Sequence, residues 1–85
     1  MKAIEYRKQA EQRQAETGYN MTGICAKIAE HMSNDELIAL GEAEGHRRLT
    51  KTAQRIATTT GSEQRGWRSD AETIAASLIE NATEA

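Results

Sequence analysis

The side chains best suited to covalent chemistry in this sequence are one cysteine and two histidines. Cys25 could act as a nucleophile only if His31 or His46 lay within hydrogen-bond reach as a base. His31 follows Cys25 by six residues, which would place the two on different sides of one helix. Cys25 also belongs to an apolar stripe, where a free cysteine usually packs as a small hydrophobic residue. The spacing therefore predicts a core role for Cys25 and a protein that is not an enzyme.

Metal and phosphate sites have little support in the sequence. Glu42 and His46 are one helical turn apart and form the one pair with a spacing typical of metal ligands. Gly41 and Gly45 do not form a phosphate loop, because neither Lys-Ser nor Lys-Thr directly follows them. These glycines can instead allow close contact with another helix, or mark a bend or a helix end. We predict neither a metal nor a cofactor.

The charged residues are segregated along the chain, although the formal net charge is only −2. Residues 1–45 carry −3, residues 46–68 carry +5 and residues 69–85 carry −4. Within the basic segment, Arg47, Lys51 and Arg55 recur at every fourth residue and would form one line on a helix. Such a line can bind phosphates or an acidic protein, pair with the chain's own acidic C-terminal segment, or remain a solvated face.

We predict that this basic segment carries the partner-binding surface. Its candidate residues are Arg47, Arg48, Lys51, Arg55, Arg65, Trp67 and Arg68. Trp67 could stack on a base or clamp a partner, or it could be the main hydrophobic anchor of a chain without Phe. A helix-turn-helix with a recognition helix from Asn34 fits poorly, because Asp35 and Glu36 would face phosphates. An acidic protein is therefore the leading partner, and nucleic acid is the alternative.

Composition and spacing predict an all-α protein. Proline is absent, and good helix formers such as Ala, Glu, Gln, Lys and Arg are abundant. Asn20 is a predicted N-cap for a helix from Met21 to Met32, whose apolar residues follow a helical period. Ser33 and Glu36 form a capping-box signature that starts another helix. We expect a small bundle of three to five helices.

The middle of the chain leaves one alternative open. Residues 34–60 would form a central helix of about 40 Å if unbroken, or two helices if Gly45 splits them. Residues 61–68 are predicted to be a polar connector. Ser69 and Glu72 repeat the capping-box signature, which places the start of the C-terminal helix there.

Chain length and core size predict how the molecule is organised. Residues 1–85 fit a single helical domain, within which residues 1–17 have helix propensity but a poor apolar stripe. We expect those 17 residues to form a mobile helical arm. The core is thin, because the 38% hydrophobic content relies on alanine. A thin core predicts a homo-oligomer, which would cover the helix face of Met21, Ile24, Ile28 and Met32.

The sequence also bears on location. Its longest uncharged run, Thr17 to Ala26, is ten residues long, whereas a membrane-spanning helix needs about 20. Charged side chains interrupt the N-terminus where a secretory signal would be apolar. A single cysteine is typical of a reducing compartment. We expect a cytoplasmic protein that does not cross a membrane.

These observations favour a non-catalytic binding protein over an enzyme. The leading interpretation is a regulator or inhibitor that acts by protein–protein contact, with a phage or another mobile element as one candidate source. The alternative is a small nucleic-acid-binding protein that uses residues 46–68. The third interpretation is a helical accessory subunit of an enzyme.

Overall fold

The computed structural model describes residues 1–83 and contains five α-helices and no strand within them. The helices are α1 (Ala3–Thr17), α2 (Met21–His31), α3 (Asn34–Glu44), α4 (Arg47–Ile56) and α5 (Gly61–Glu80). None of the five is both long and apolar enough to cross a membrane. The predicted all-α bundle is confirmed, with the number of helices at the upper end of the expected range.

Local capping chemistry sets the starts of α2 and α3. The Asn20 side chain accepts a hydrogen bond of 2.7 Å from the backbone N–H of Gly23. At α3, the backbone N–H of Glu36 donates to Ser33 Oγ at 3.1 Å, and Ser33 N–H donates to the Glu36 carboxylate at 2.8 Å. Both predicted starts are confirmed. Each cap contributes about 1 kcal/mol by satisfying backbone donors that have no partner inside the helix.

Gly45 separates α3 from α4, so the long central helix does not form. Its φ of +64° places it in the left-handed region, which L-residues other than glycine rarely occupy. The chain then turns through His46, whose Nδ1 accepts a hydrogen bond from the backbone N–H of Leu49 at 3.1 Å. His46 is therefore the N-cap of α4. Of the two alternatives for residues 34–60, the split at Gly45 is the one observed.

Gly41 allows α3 and α4 to pack in close contact. A Cβ at this position would lie 2.4 Å from Thr50 Oγ1 and 2.8 Å from the Thr50 backbone nitrogen. Both distances are too short for any side chain, so the close approach depends on glycine. Of the uses predicted for these two glycines, Gly41 allows close helix contact and Gly45 ends a helix.

The predicted connector over residues 61–68 is wrong, because α5 already begins at Gly61 and continues to Glu80. Ser69 lies inside this helix, where its carbonyl accepts a hydrogen bond from the Thr73 hydroxyl, and it caps nothing. Contacts with α4 stabilise the first turns of α5. Gln64 Nε2 donates to the carbonyl of Ile56 at 2.9 Å.

The core combines larger apolar side chains with alanines. Its largest fully buried residues are Cys25, Leu37, Leu40, Leu49 and Ile79. Alanines complete it, namely Ala3 and Ala10 of α1, Ala29 of α2, Ala53 of α4, and Ala71 and Ala75 of α5. Small residues at helix contacts let the helix axes approach closely, which is how a chain without Phe forms a continuous core.

The apolar stripe of α2 is buried within the chain. The residues Ile24, Cys25, Ile28 and Met32 are buried, and Met21 is half-buried against the same cluster. The helical period predicted from the sequence is confirmed. The face that motivated the prediction of self-association is thus covered by the chain's own helices, and the homo-oligomer stays a prediction.

The N-terminal segment forms helix α1, which packs on the bundle through Ala3, Tyr6 and Ala10. The backbone N–H of Ala3 donates to the Glu44 carboxylate at 3.0 Å. Arg7 Nη1 donates to the main-chain carbonyl of Glu80. These contacts hold the helix against α3 and α5, and the mobility expected for residues 1–17 stays a prediction.

Candidate partner-binding surface

Helix α4 has one apolar face and one basic face. Leu49, Thr52, Ala53 and Ile56 are buried, and they recur at the spacing of a single helix face. The opposite side carries a basic row, defined here as Arg47, Arg48, Lys51 and Arg55. All four residues of the basic row are exposed. Burial of the apolar face therefore fixes the direction in which these cations point.

The basic row has no carboxylate partner within residues 1–83. The acidic residues of α5, which are predicted rivals for internal pairing, form no ion pair with the basic row. Glu72 pairs with Arg68, and the Glu80 carboxylate accepts hydrogen bonds from the Thr22 hydroxyl. Asp70 forms no ion pair with the described residues. Glu84, the remaining predicted rival, lies outside the described residues.

Trp67 supports one member of the basic row. The Arg55 guanidinium carbon lies 4.8 Å from the centroid of the Trp67 ring, which is a cation–π contact. Trp67 is half-buried and packs against the core, so it is a hydrophobic anchor. Its ring also contacts the Arg55 guanidinium. This contact holds the Arg55 guanidinium over the Trp67 ring. No N–H group of that guanidinium donates a hydrogen bond within the described chain.

These residues line a shallow concavity, called here the basic groove. It has a volume of about 540 Å³ and is lined by Arg47, Arg48, Lys51, Thr52, Arg55 and Trp67. Side chains of both α4 and α5 contribute to it. The groove thus combines four cations with an aromatic ring, in a site open to a large partner.

Acidic side chains border the basic groove on two sides. On the α3 side, Glu42 lines a neighbouring concavity together with Arg47 and Lys51. On the α5 side, Asp70 lines another concavity together with Arg48. The positive region is therefore a narrow strip along α4 and not a broad basic face.

Arg68 lies away from the basic groove and is bonded within the chain. Its guanidinium donates to the backbone carbonyls of Ala29, Glu30 and Met32 at 3.3, 3.0 and 2.5 Å. It also donates to Asn34 Oδ1 at 2.9 Å and pairs with the Glu72 carboxylate at 2.5 Å. These carbonyls belong to the last turn of α2 and the turn after it, where the regular hydrogen bonds of the helix end. The Ala29 carbonyl also accepts a hydrogen bond from the backbone N–H of Met32 at 3.2 Å. Arg68 therefore clamps α5 to the end of α2.

Arg65 is exposed on a different part of the molecule. It lines a concavity with Met32, Asn34 and Arg68, on the side of α5 that faces the α2–α3 turn. Of the seven predicted partner-binding residues, the structure brings five together in the basic groove and places Arg65 and Arg68 elsewhere.

Sequence reasoning missed two features of this region. The capping role of His46 has a local signal, because its side chain bonds to a backbone group three residues away. The clamp made by Arg68 has none, because its acceptors at Ala29 and Met32 are 39 and 36 residues away in the chain. Only the folded bundle brings those groups together.

The candidate nucleophile is a core residue, as predicted. Cys25 is 1% exposed, and burial raises the pKa of its thiol, which disfavours the reactive thiolate. His31 is exposed at the last turn of α2, and no hydrogen bond joins either histidine to Cys25 in the described residues. Residues 1–83 also contain no group of three or more side chains placed to hold a metal ion.

A second concavity lies at the corner between α1 and α2. It has a volume of about 380 Å³ and is lined by Arg13, Thr17, Tyr19, Asn20, Gly23, Ile24 and Lys27. Tyr19 is 70% exposed there. The cation Lys27 is already paired with Glu30 at 3.9 Å, so this corner has less unused charge than the basic groove.

Comparison with protein-family models, with curated proteins and with solved structures finds no match. Relatives therefore give no guide to function, and the chemistry of the basic groove is the main evidence.

Proposed function

We propose that this protein is a non-catalytic helical regulator or inhibitor that binds an acidic protein surface through the basic groove. The observation that carries the proposal is the basic row itself. Four exposed cations lie together on α4 without an ion-pair partner in the described chain. An acidic partner would supply the missing carboxylates.

The electrostatics of α4 support this proposal. Like charges one turn apart, such as Arg47 with Lys51 and Lys51 with Arg55, destabilise a helix by about 0.2–0.5 kcal/mol per pair. Arg47 and Arg48 also occupy the first turn of α4, where the helix dipole disfavours cations by about 0.3–1 kcal/mol each at an exposed site. The arrangement works against the stability of the free chain. A bound anionic surface would offset these unfavourable terms.

Nucleic acid is the second candidate, and one observation favours it. Helix α4 contains no acidic residue, and its exposed face carries the basic row with Gln54 beside it. All of these side chains can donate hydrogen bonds. Phosphates could bind that face. Glu42 and Asp70 weigh against a broad nucleic-acid surface, because they border the groove on both sides.

Capture from native lysate separates these candidates. Immobilised wild-type protein, Lys51→Glu and Arg13→Glu would be compared, with and without nuclease. Arg13 is an exposed cation outside the basic groove, so its reversal matches the charge change of Lys51→Glu. We expect wild type and Arg13→Glu to retain a nuclease-resistant protein and Lys51→Glu to lose it.

Other outcomes would contradict the proposal. Retention that nuclease abolishes would support the nucleic-acid candidate. Co-purification of an enzymatic activity would support the accessory-subunit interpretation. Equal capture by Lys51→Glu and wild type would show that the basic groove does not bind the partner.

Two further expectations accompany the proposal. We expect the protein to be cytoplasmic, which cell fractionation would test. We also expect a homo-oligomer on the ground of the thin core, although the α2 face is buried within one chain. Sedimentation equilibrium at high micromolar concentration would measure this, and a monomer there would contradict it.

A further inference from the structure

We propose that the segment of the partner that fills the basic groove is an acidic α-helix that lies antiparallel to α4 and carries carboxylates at positions i, i+4 and i+8. This inference rests on the proposed function, because it concerns the same surface. It adds the form, charge spacing and direction of the bound segment.

The spacing of the cations matches such a helix. Arg47, Lys51 and Arg55 follow one another at every fourth residue, so they are separated by about 6 Å along the axis of α4. Carboxylates at every fourth residue of a second helix have the same rise and share one face. Each of the three cations can therefore meet one carboxylate.

Arg55 gives this match a fixed end. Its guanidinium lies over the Trp67 ring, and its N–H groups make no hydrogen bond within the described chain. The contact with Trp67 restricts the position of this guanidinium, and a guanidinium can bind a carboxylate with two parallel hydrogen bonds. The carboxylate opposite Arg55 is thus the best defined of the three.

The width of the positive strip favours a single helix over nucleic acid. A helix with its side chains is about 10–12 Å across and can present its acids in one stripe. A nucleic acid would also bring phosphates towards Glu42 on the α3 side and Asp70 on the α5 side. Stacking of a base on Trp67 would compete with Arg55, which already lies over the ring.

The direction follows from the dipole of α4. Arg47 and Arg48 are at its N-terminal end, where the partial charge of the helix is also positive. The C-terminal end of a helix is negative, so the C-terminus of the partner helix belongs beside Arg47. Its N-terminus then lies near Arg55 and Trp67.

Two synthetic alanine-based peptides of identical composition test the spacing. One carries Glu at i, i+4 and i+8, and the other carries Glu at i, i+2 and i+5, which scatters the acids around the helix. Trp67 is the only tryptophan of the chain, so its fluorescence reports binding at the groove. We expect the first peptide to bind at least tenfold more tightly than the second. Equal affinity for the two peptides would overturn the helical spacing.

Matched variants and a labelled peptide test the position and direction. Lys51→Glu should weaken binding of the i, i+4, i+8 peptide at least tenfold, whereas Arg13→Glu should change it less than twofold. Circular dichroism of both variants would establish that they remain helical. A quencher at the N-terminus of the peptide should quench Trp67 more than one at its C-terminus. The reverse order would overturn the antiparallel arrangement.

A thymidine oligonucleotide of equal charge separates the two classes of partner. Tighter binding of this oligonucleotide than of the i, i+4, i+8 peptide would overturn the acidic helix. Failure of both peptides, with lysate capture that still depends on Lys51, would reject this inference and leave the proposed function intact. Loss of that dependence in the lysate would reject both.

Discussion

Arg68 Nη2 lies 2.5 Å from the main-chain carbonyl oxygen of Met32 and donates a hydrogen bond to it. This contact joins the first half of α5 to the turn that follows α2. The same guanidinium also bonds to the carbonyls of Ala29 and Glu30 and to the Glu72 carboxylate. A single side chain thus donates hydrogen bonds to three main-chain carbonyls at the end of α2, where the regular helical hydrogen bonds stop.

Replacement of Arg68 should therefore destabilise the fold. We expect Arg68→Ala to lower the free energy of unfolding by about 2–3 kcal/mol, because it removes charge-assisted hydrogen bonds to carbonyls that are partly buried. Urea denaturation followed by circular dichroism would measure the change. Arg65→Ala, an exposed neighbour on the same helix, should change stability by less than about 0.5 kcal/mol. Equal effects of the two substitutions would contradict the clamp.

Gly41 and Gly66 should respond in opposite directions to alanine. Gly41→Ala would place a Cβ 2.8 Å from the Thr50 backbone nitrogen, so we expect a loss of about 1–3 kcal/mol. Gly66 lies inside α5 with open space around its missing Cβ. Gly66→Ala should stabilise the protein by up to about 1 kcal/mol, because alanine is the better helix former. Thermal denaturation of both variants tests the pair, and a stable Gly41→Ala would contradict the close α3–α4 contact.

Stability should decline at alkaline pH. Burial raises the pKa of the Cys25 thiol and of the Tyr6 hydroxyl above their ordinary values of about 8.5 and 10. The fold therefore favours the neutral forms. Their contribution is complete below the ordinary pKa values and is lost as pH rises through the raised ones.

Urea midpoints measured from pH 7 to 11 would test this sign. We expect a constant midpoint up to about pH 8.5 and a falling one above it. Tyr6→Phe should make the decline above pH 10 shallower, because phenylalanine has no group to ionise. A midpoint that rises with pH would show that the sign is wrong.

Charge reversal of the basic row should leave the fold intact. We expect the triple variant Arg47→Glu, Lys51→Glu, Arg55→Glu to stay within about 1 kcal/mol of wild type, because no internal ion pair is lost in the described chain. Loss of the Arg55–Trp67 contact is unfavourable by about 0.5–1 kcal/mol, and an acid in the first turn of α4 offsets part of it. Circular dichroism melting curves measure the outcome. A variant that fails to fold would assign a structural role to the row.

Local signals explain which parts of the fold could be predicted. The caps at Asn20 and Ser33 use hydrogen bonds between residues three apart, so the sequence contains the whole interaction. The stripe of α2 is equally local, because its spacing alone defines a helix face. The sequence leaves two possibilities at Gly45, a helix end or a position inside one long helix, because glycine is tolerated in both.

Residues 61–80 show why other parts could not be predicted. Ser33 with Glu36 and Ser69 with Glu72 have the same spacing, yet only the first pair caps a helix. Glu72 bonds to Arg68 instead, and Ser69 is preceded by about two turns of helix. The earlier start of α5 depends on contacts with α4, such as Gln64 with the carbonyl of Ile56. No window of the sequence contains those contacts.

In the candidate site, too, some features follow from local spacing and others depend on long-range contacts. The basic row was predictable because residues at every fourth position of α4 share a face, whatever the rest of the fold does. The placement of Trp67 beneath Arg55 and the bonding of Arg68 to the end of α2 depend on how α5 crosses the other helices. Charge type and spacing are local properties, whereas the use of a charge depends on its neighbours in space.

The close contact between Gly41 and Thr50 also bears on how the chain can fold. These residues are nine positions apart, so α3 and α4 can pair after closure of one short loop. The clamp between Arg68 and Met32 spans 36 positions and requires a much larger loop to close. We therefore expect the α3–α4 hairpin to form before α2 is joined to α5, because its loop closure has the lower entropic cost.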